Sequence, residues 1–249
     1  MLSMAPAALA ATDKITSSTA LVLKTPSKPI PESALLDVGI STLNDGLYLT
    51  DENDTVFPEV RFAEAIYFSN QLAKVMEKSG AWGAIRVTPN SDVVMDLYIS
   101  GTILQSDGET MDLQIDAKDS SGKKWLSKRY TQTTGKYAYD RRLKSLGDPF
   151  QNLFIRIAND LLKYREKISQ QRAIELRTIS ELRFAKSFSP EAFDSYISEK
   201  RDVPLVIHKR PADDDRLLTR VRNLRHHANP YIANHQDHHH GCSHPRPHN

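Results

Sequence analysis

The sequence predicts an α+β fold, a two-layer sandwich in which a mostly antiparallel sheet, laid down in the order strand, helix, strand and meander, is packed by two helices. Three observations predict it. Residues 93 to 131 alternate apolar and polar side chains through three successive runs, the period of strands with one buried face. Turn residues, Ser106-Asp107-Gly108 and Asp119-Ser120-Ser121-Gly122, separate those runs at hairpin spacing. Two longer stretches, opening at Pro58 and Pro149, repeat their apolar residues at intervals of three and four instead, as helices that bury one stripe do.

Taken in order, the first ordered element is a strand in which Leu36, Val38 and Ile40 alternate with Asp37, Gly39 and Ser41, closed by Asn44-Asp45-Gly46. After the acidic run 50–54, Pro58 suits a first helical turn and Glu59 suits the positive end of the helix dipole. That helix is expected to reach Ser79 and to stop at Gly80 in the left-handed conformation. Phe62, Ile66, Ser69, Leu72, Ala73, Val75 and Met76 make its inward stripe, and Arg61, Glu64, Gln71, Lys74, Glu77 and Lys78 face water. A short strand, Ile85 to Thr88, ends at Pro89-Asn90. The meander follows, with Val93, Met95, Leu97, Ile99, Met111, Leu113, Ile115 and Ala117 inward and Asp96, Tyr98, Asp112, Gln114, Asp116 and Lys118 on a wet face. Its third strand runs from Lys124. Past the polar segment 135–147, Asp148 is the expected N-cap and Pro149 the first helical residue of a stripe through Phe150, Leu153, Phe154, Ile157, Leu161, Tyr164 and Ile168. Helical pattern resumes after 169–172 with Ile174, Ile179 and Leu182 inward, and Ser189-Pro190-Glu191 opens a short helix through Ile197. Residues 203–207 are briefly apolar, and no periodicity is left after Leu224. The organisation is thus a signal remnant and disordered tether over 1–33, an α+β domain over 34–165, a helical extension over 166–222 and a disordered His-rich tail over 223–249.

Bulk properties narrow the function. The 249 residues carry 33 basic and 31 acidic side chains, a net charge of +2. Nucleic acid and acidic membrane surfaces call for a concentrated positive field rather than this balance. No stretch approaches the ~20 apolar residues of a membrane-spanning helix. The one cysteine, Cys242, lies in the tail, so the domain is expected to fold without a disulfide, in either redox compartment. At the start, the small apolar run from Met1 to Ala11 contains Ala8-Leu9-Ala10 before polar Thr12-Asp13-Lys14, matching a signal-peptidase site without its basic n-region. Two readings stand: a secretory signal whose true start lies upstream, or the leader of a cytoplasmic protein. Neither supplies a lipobox cysteine.

Catalytic motifs are missing from the sequence. No Gly-rich phosphate loop, HExxH or GxSxG occurs, and His208 is the one histidine before the tail. Asp112 and Asp116 share a strand face but are expected to be hydrated, whereas a general acid needs a desolvated carboxyl. Trp82, Trp125, Tyr98 and Tyr130 are expected in the core or in cross-strand pairs. Tyr137, Tyr139, Arg141, Arg142 and Lys144 interleave rings and cations, a weak single-strand nucleic-acid pattern. The best-spaced ligands are His235, His238, His239, Cys242, His244 and His248, a donor set suited to Zn²⁺, Ni²⁺ or copper. Yet eight of the nine histidines fall in 226–248, where helical patterning has just ended. A change of reading frame produces so abrupt a shift, and a true metal-buffering tail is the competing explanation.

Three segments, FPEVRFAEAIYFSNQLAKVMEKSGAWGAIRVTP (Phe57 to Pro89), DLYISGTILQSDGETMDLQIDAKDSSGKKWLSKRY (Asp96 to Tyr130) and DPFQNLFIRIANDLL (Asp148 to Leu162), resemble a family of uncharacterised envelope proteins and lipoproteins of Gram-negative bacteria, over roughly residues 30 to 222. In that family the chain continues past the equivalent of Arg222 into a long helical region and often begins with a lipoprotein signal. Lacking both, this sequence reads as truncated at the back and mis-set at the front. At fold level the element order is similar to the auxiliary lipoproteins of ABC-type transport systems and to curli-secretion-type lipoproteins. The resemblance implies a non-enzymatic, periplasmic or outer-membrane-associated accessory or assembly component with a protein partner, no catalytic residue and no cofactor; the alternative is a metal-binding protein that uses the tail.

Overall fold

The structure, a computed structural model, describes residues 13–15, 21–49, 56–90, 93–134, 148–198, 205–209, 212, 215–221 and 223. Its strands are β1 (Asp13–Ile15), β2 (Val38–Ser41), β3 (Ile85–Thr88), β4 (Leu97–Ser106), β5 (Thr110–Asp119), β6 (Lys124–Thr133), β7 (Ile197–Ser198) and β8 (Val206–Ile207). Its helices are α1 (Pro58–Ser79), α2 (Gln151–Arg165), α3 (Gln170–Phe188) and α4 (Pro190–Phe193). The main sheet is mixed, in the order β1-β6-β5-β4-β2-β3. The ten-residue strands β4, β5 and β6 form the expected antiparallel meander, while β2 pairs in parallel with β3 on one side and β4 on the other. The fold is α+β, with its longest pairings antiparallel.

Helix α1 closes a strand-helix-strand unit between the parallel neighbours β2 and β3. It begins at Pro58 and ends at Gly80, whose φ of 65° is the left-handed value that glycine adopts without a side-chain clash. Gly46 is constrained by space as well as by φ (69°), because a Cβ there would meet the Ile103 carbonyl oxygen at 1.9 Å. Leu113, Ile115 and Leu97 are fully buried under α1 and α2, and Phe68 and Phe154 pack ring to ring at 6.1 Å where the two helices meet. Asp160 of α2 accepts hydrogen bonds from both Lys128 Nζ (3.0 Å) and Tyr130 Oη (2.9 Å) of β6, which fixes the helix over the sheet.

Several elements depart from the sequence reading. In α1, Arg61 is buried and Phe62 exposed, the reverse of expectation. The inward face is set by Ala65, Phe68 and Leu72, and Arg61 lies one turn before Ala65 on that face, so the first two turns are rotated by one residue. Helix α2 starts at Gln151, two residues later than expected; Asp148 caps the preceding turn, its carboxylate accepting from Phe150 N (2.8 Å) and its carbonyl from Gln151 N. Strand β4 starts at Leu97 rather than Val93. The outer sheet face is wet at Ser100, Lys118, Ser127 and Arg129, but Asp96, Tyr98 and Asp112 are buried. Asp112 lies beneath Arg129, which bonds both its carboxylate oxygens, so the hydrated pair expected at Asp112 and Asp116 is not there.

The two flanking segments are also less loose than expected. Residues 21–31 lie along α2 as a strap. Asn152, Asn159 and Glu166 take the backbone N–H groups of Leu21, Lys24 and Ser27, each at 2.8 Å. Seven residues of helix rise about 10 Å and three residues of extended chain span about the same, so a three-residue period on the strap stays in register with a seven-residue period on α2. Leu23 and Ile30 pack against the core. Helix α3, capped by Ser169 through Arg172 N, crosses the end of the sheet and contributes Ala173 and Leu176 to the main core. Its last turns join Phe193, Ile197, Leu218 and Val221 in a second, smaller core. Pro190 opens the short α4 as expected, but Ile197 already belongs to β7.

Candidate functional site

The first turns of α1 stand beside the β4–β5 hairpin and leave an open groove of about 740 Å³ between them. Phe57 and Val60 form its apolar lip, 63% and 55% exposed. Its floor is polar. Arg61, 4% exposed, places Nε 3.6 Å from Glu64, and the other carboxylate oxygen of Glu64 accepts from Ser106 Oγ at 2.7 Å. The hairpin wall is held by Asp107, which accepts from Thr110 N (2.7 Å), Glu109 N (2.9 Å) and Gln105 Nε2 (2.7 Å). Those donors, the Thr110 amide first, hold its carboxyl below the ordinary aspartate range. On the other flank of α1, Phe62 (61% exposed) lines a second hollow of about 360 Å³ with Asn44, Asp45 and Ser100. Tyr48 and Leu49 follow on the same end, 72% and 51% exposed.

Glu64 is ion-paired and hydrogen-bonded, and among the described residues Arg61 is the one cation that lines the groove and no imidazole or thiol lines either hollow. An isolated surface hydrophobe needs no account, but five large ones at one end of a molecule do.

The residues singled out in the sequence distribute as follows. Trp82, Trp125 and Tyr130 are buried, and Trp125 stacks on Tyr164 at 5.0 Å, the core role expected of them; Tyr98 is buried too, on the strand face read as wet. His208 follows β8 and donates its backbone N–H to Tyr196 O. Met1 to Ala11, the segment with Tyr137, Tyr139, Arg141, Arg142 and Lys144, and the ligand set His235, His238, His239, Cys242, His244 and His248 lie outside the described residues. Among the described residues, no group of three or more His, Cys, Asp or Glu is placed to hold a metal ion, and no helix is long and apolar enough to cross a membrane. The groove at α1 was not singled out in sequence. Its signal was present in part: Phe57, Val60 and Tyr67 are large apolar residues in and beside a helix whose inward stripe is complete without them.

No protein-family model matches the chain, and no curated protein matches it. Among solved structures, the dodecameric PelC variant from Paraburkholderia phytofirmans is similar at a TM-score of 0.34 and 15% identity, over 61% of this chain and 96% of that one. A likeness at that level carries no functional argument.

Proposed function

We propose that this chain is a non-enzymatic envelope protein, an accessory or assembly component that acts through protein–protein contacts made at the open end of α1. The observation that carries the reading is exposed Phe57, Val60 and Phe62 lining two hollows at the start of α1, with exposed Tyr48 and Leu49 in the segment that precedes it. Exposed aromatic and aliphatic side chains around a polar floor are what a protein interface core presents before its partner arrives. The small apolar leader with Ala8-Leu9-Ala10 and the family resemblance support a periplasmic or outer-membrane-associated location.

The test places a photo-crosslinking amino acid at position 57 in the native cell and, as control, at Lys118 on the wet sheet face. A discrete crosslinked protein from position 57, missing from position 118, with the product in the envelope fraction, is the expected result. Equal labelling from both positions sinks the contact site, and a product found only in the cytosolic fraction sinks the location.

A further inference from the structure

A third cavity, of about 250 Å³, lies between the strap and the junction of α2 with α3. Its lining is mixed: apolar surface from Pro26, Pro29, Ile30 and Ile168 stands beside charged Lys28 and Glu166. Into this lining comes Arg165, a guanidinium only 4% exposed. Nη2 donates to Ala34 O at 2.8 Å, Nε is buried without a partner, and among the described residues no carboxylate pairs with it. A buried cation lacking a counter-charge is costly to keep, and proteins rarely leave one without an anion or water to meet it. A role in finishing α2 does not account for it. The last turn is closed by Glu166 N to Leu162 O, Lys167 N to Tyr164 O and Ile168 N to Arg165 O, all backbone bonds that ask nothing of the side chain.

We infer that this cavity is a binding site for a small organic monocarboxylate, its carboxylate on Arg165 and its apolar body against the prolines and Ile168. Three features select that class. A planar guanidinium matches a carboxylate with paired hydrogen bonds. Gln170, at the N-terminus of the 19-residue helix α3, also lines the cavity, and that helix end adds partial positive charge. Glu166 is in the wall as well, a carboxylate that repels a dianion more than a monoanion. The volume is below the ~300–1,000 Å³ of pockets for drug-sized ligands, so the ligand is small.

The experiment is calorimetric titration of the full chain at pH 7 and low salt with benzoate and hexanoate, with benzamide and inorganic phosphate as probes of charge and shape. The expected result is saturable one-to-one binding of the carboxylates, with benzamide and phosphate weaker by about tenfold or more, the scale of one charge-assisted contact. Arg165→Met is expected to abolish binding. Should that variant fail to fold, Glu166→Gln carries the test, since it keeps an acceptor for Ser27 and removes the repelling charge, and is expected to bind benzoate about two- to fivefold more tightly. No saturable heat with either carboxylate, binding of benzamide equal to benzoate, phosphate binding more tightly than benzoate, undiminished binding by folded Arg165→Met, or unchanged or weaker binding by Glu166→Gln each overturns the inference.

Discussion

The two ends of the ten-residue strand β4 have opposite characters. At its start, under α3, the molecule buries polar groups and bonds them. Asp96 accepts from Ser180 Oγ and from Asp37 N, and Asp119 takes Ser121 N, Ser121 Oγ, Lys123 N and Trp125 Nε1. At its finish, beside the first turns of α1, the molecule exposes Phe57, Val60 and Phe62. Polar groups inside and apolar groups outside both run against the hydrophobic effect, and they do so for different reasons. The buried carboxylates are fully satisfied and specify where α3 docks. Phe57, Val60 and Phe62 stay mostly exposed, and that is the ground for proposing contact at that end.

If the closed end is structural, its removal is expected to have the largest effect. Asp119→Ala strips the acceptor from four donors, two of them backbone N–H groups of a tight turn. A loss of about 3 kcal/mol is expected, since each buried donor left unsatisfied costs ~1–3 kcal/mol and water reaches part of the turn. Urea unfolding at an unchanged m-value measures it. A loss below about 1 kcal/mol would remove the closed end from the comparison.

The strap runs with α2 from one end to the other, and cutting its middle tests whether it belongs to the fold. Asn159 both accepts from Lys24 N and donates to Val22 O, so Asn159→Ala is expected to cost about 1–2 kcal/mol at ~1 kcal/mol per bond. Hydrogen exchange is expected to quicken at Lys24 before it does in β5. Uniform quickening would instead mean that the strap and sheet unfold as one unit.

At the open end the expectation is the smallest change in stability with the largest in contact. Phe57→Ser and Phe62→Ser remove side chains that are already mostly in water, so unfolding free energies from urea are expected to fall by no more than about 0.5 kcal/mol, while Phe62→Ser makes capture of the partner from position 57 fail. A loss of 2 kcal/mol or more from either change would show that the ring is packed and would withdraw that residue from the proposed contact surface.

What sequence made legible follows the range of the interaction. Helix α1 and the meander are governed by local signals, Pro58 and Gly80 at the helix ends and strict alternation from Leu113 to Ala117, and the span of the helix and the strand order of the meander were legible from them. The rotation at Arg61 and Phe62 was not legible, because both assignments satisfy a helical period and only the ion pair with Glu64 and the seating of Ala65 and Phe68 against the core select one. Asp96 read as a wet-face residue because the helix that covers it lies 84 residues downstream. The strap read as a tether because its bonds go to Asn152, Asn159 and Glu166, more than 130 residues away, and Ser- and Pro-rich sequence carries no period that announces them. Arg165 passed unnoticed for a related reason: in a helix it looked like an ordinary last-turn cation, and its burial depends on the strap.

A carboxylate at each end provides the finest comparison. Asp107 at the open end and Glu166 at the closed end are both held below their ordinary range, chiefly by a backbone N–H, that of Thr110 for Asp107 and that of Ser27 for Glu166. A carboxyl with a depressed folded-state pKa contributes stability that is fully present above its unfolded value, ~4 for these residue types, and is lost as pH falls through the folded value. Both contributions are therefore constant from pH 8 to 6 and vanish only in acid. Because Glu166 and Asp107 are both well solvated, the effect on global stability is expected to be slight, and the readable signal is local. Carboxyl-carbon titration by NMR is expected to give midpoints below 4.5 for Glu166 and below 3.8 for Asp107. On the same acid step the Ser27 amide is expected to lose protection with Glu166, and the Thr110 amide with Asp107. If Ser27 stays protected after Glu166 has titrated, the strap is held at the closed end by Arg165 and the cavity lining instead of by this bond, and the two ends differ in how they are fastened as well as in what they expose.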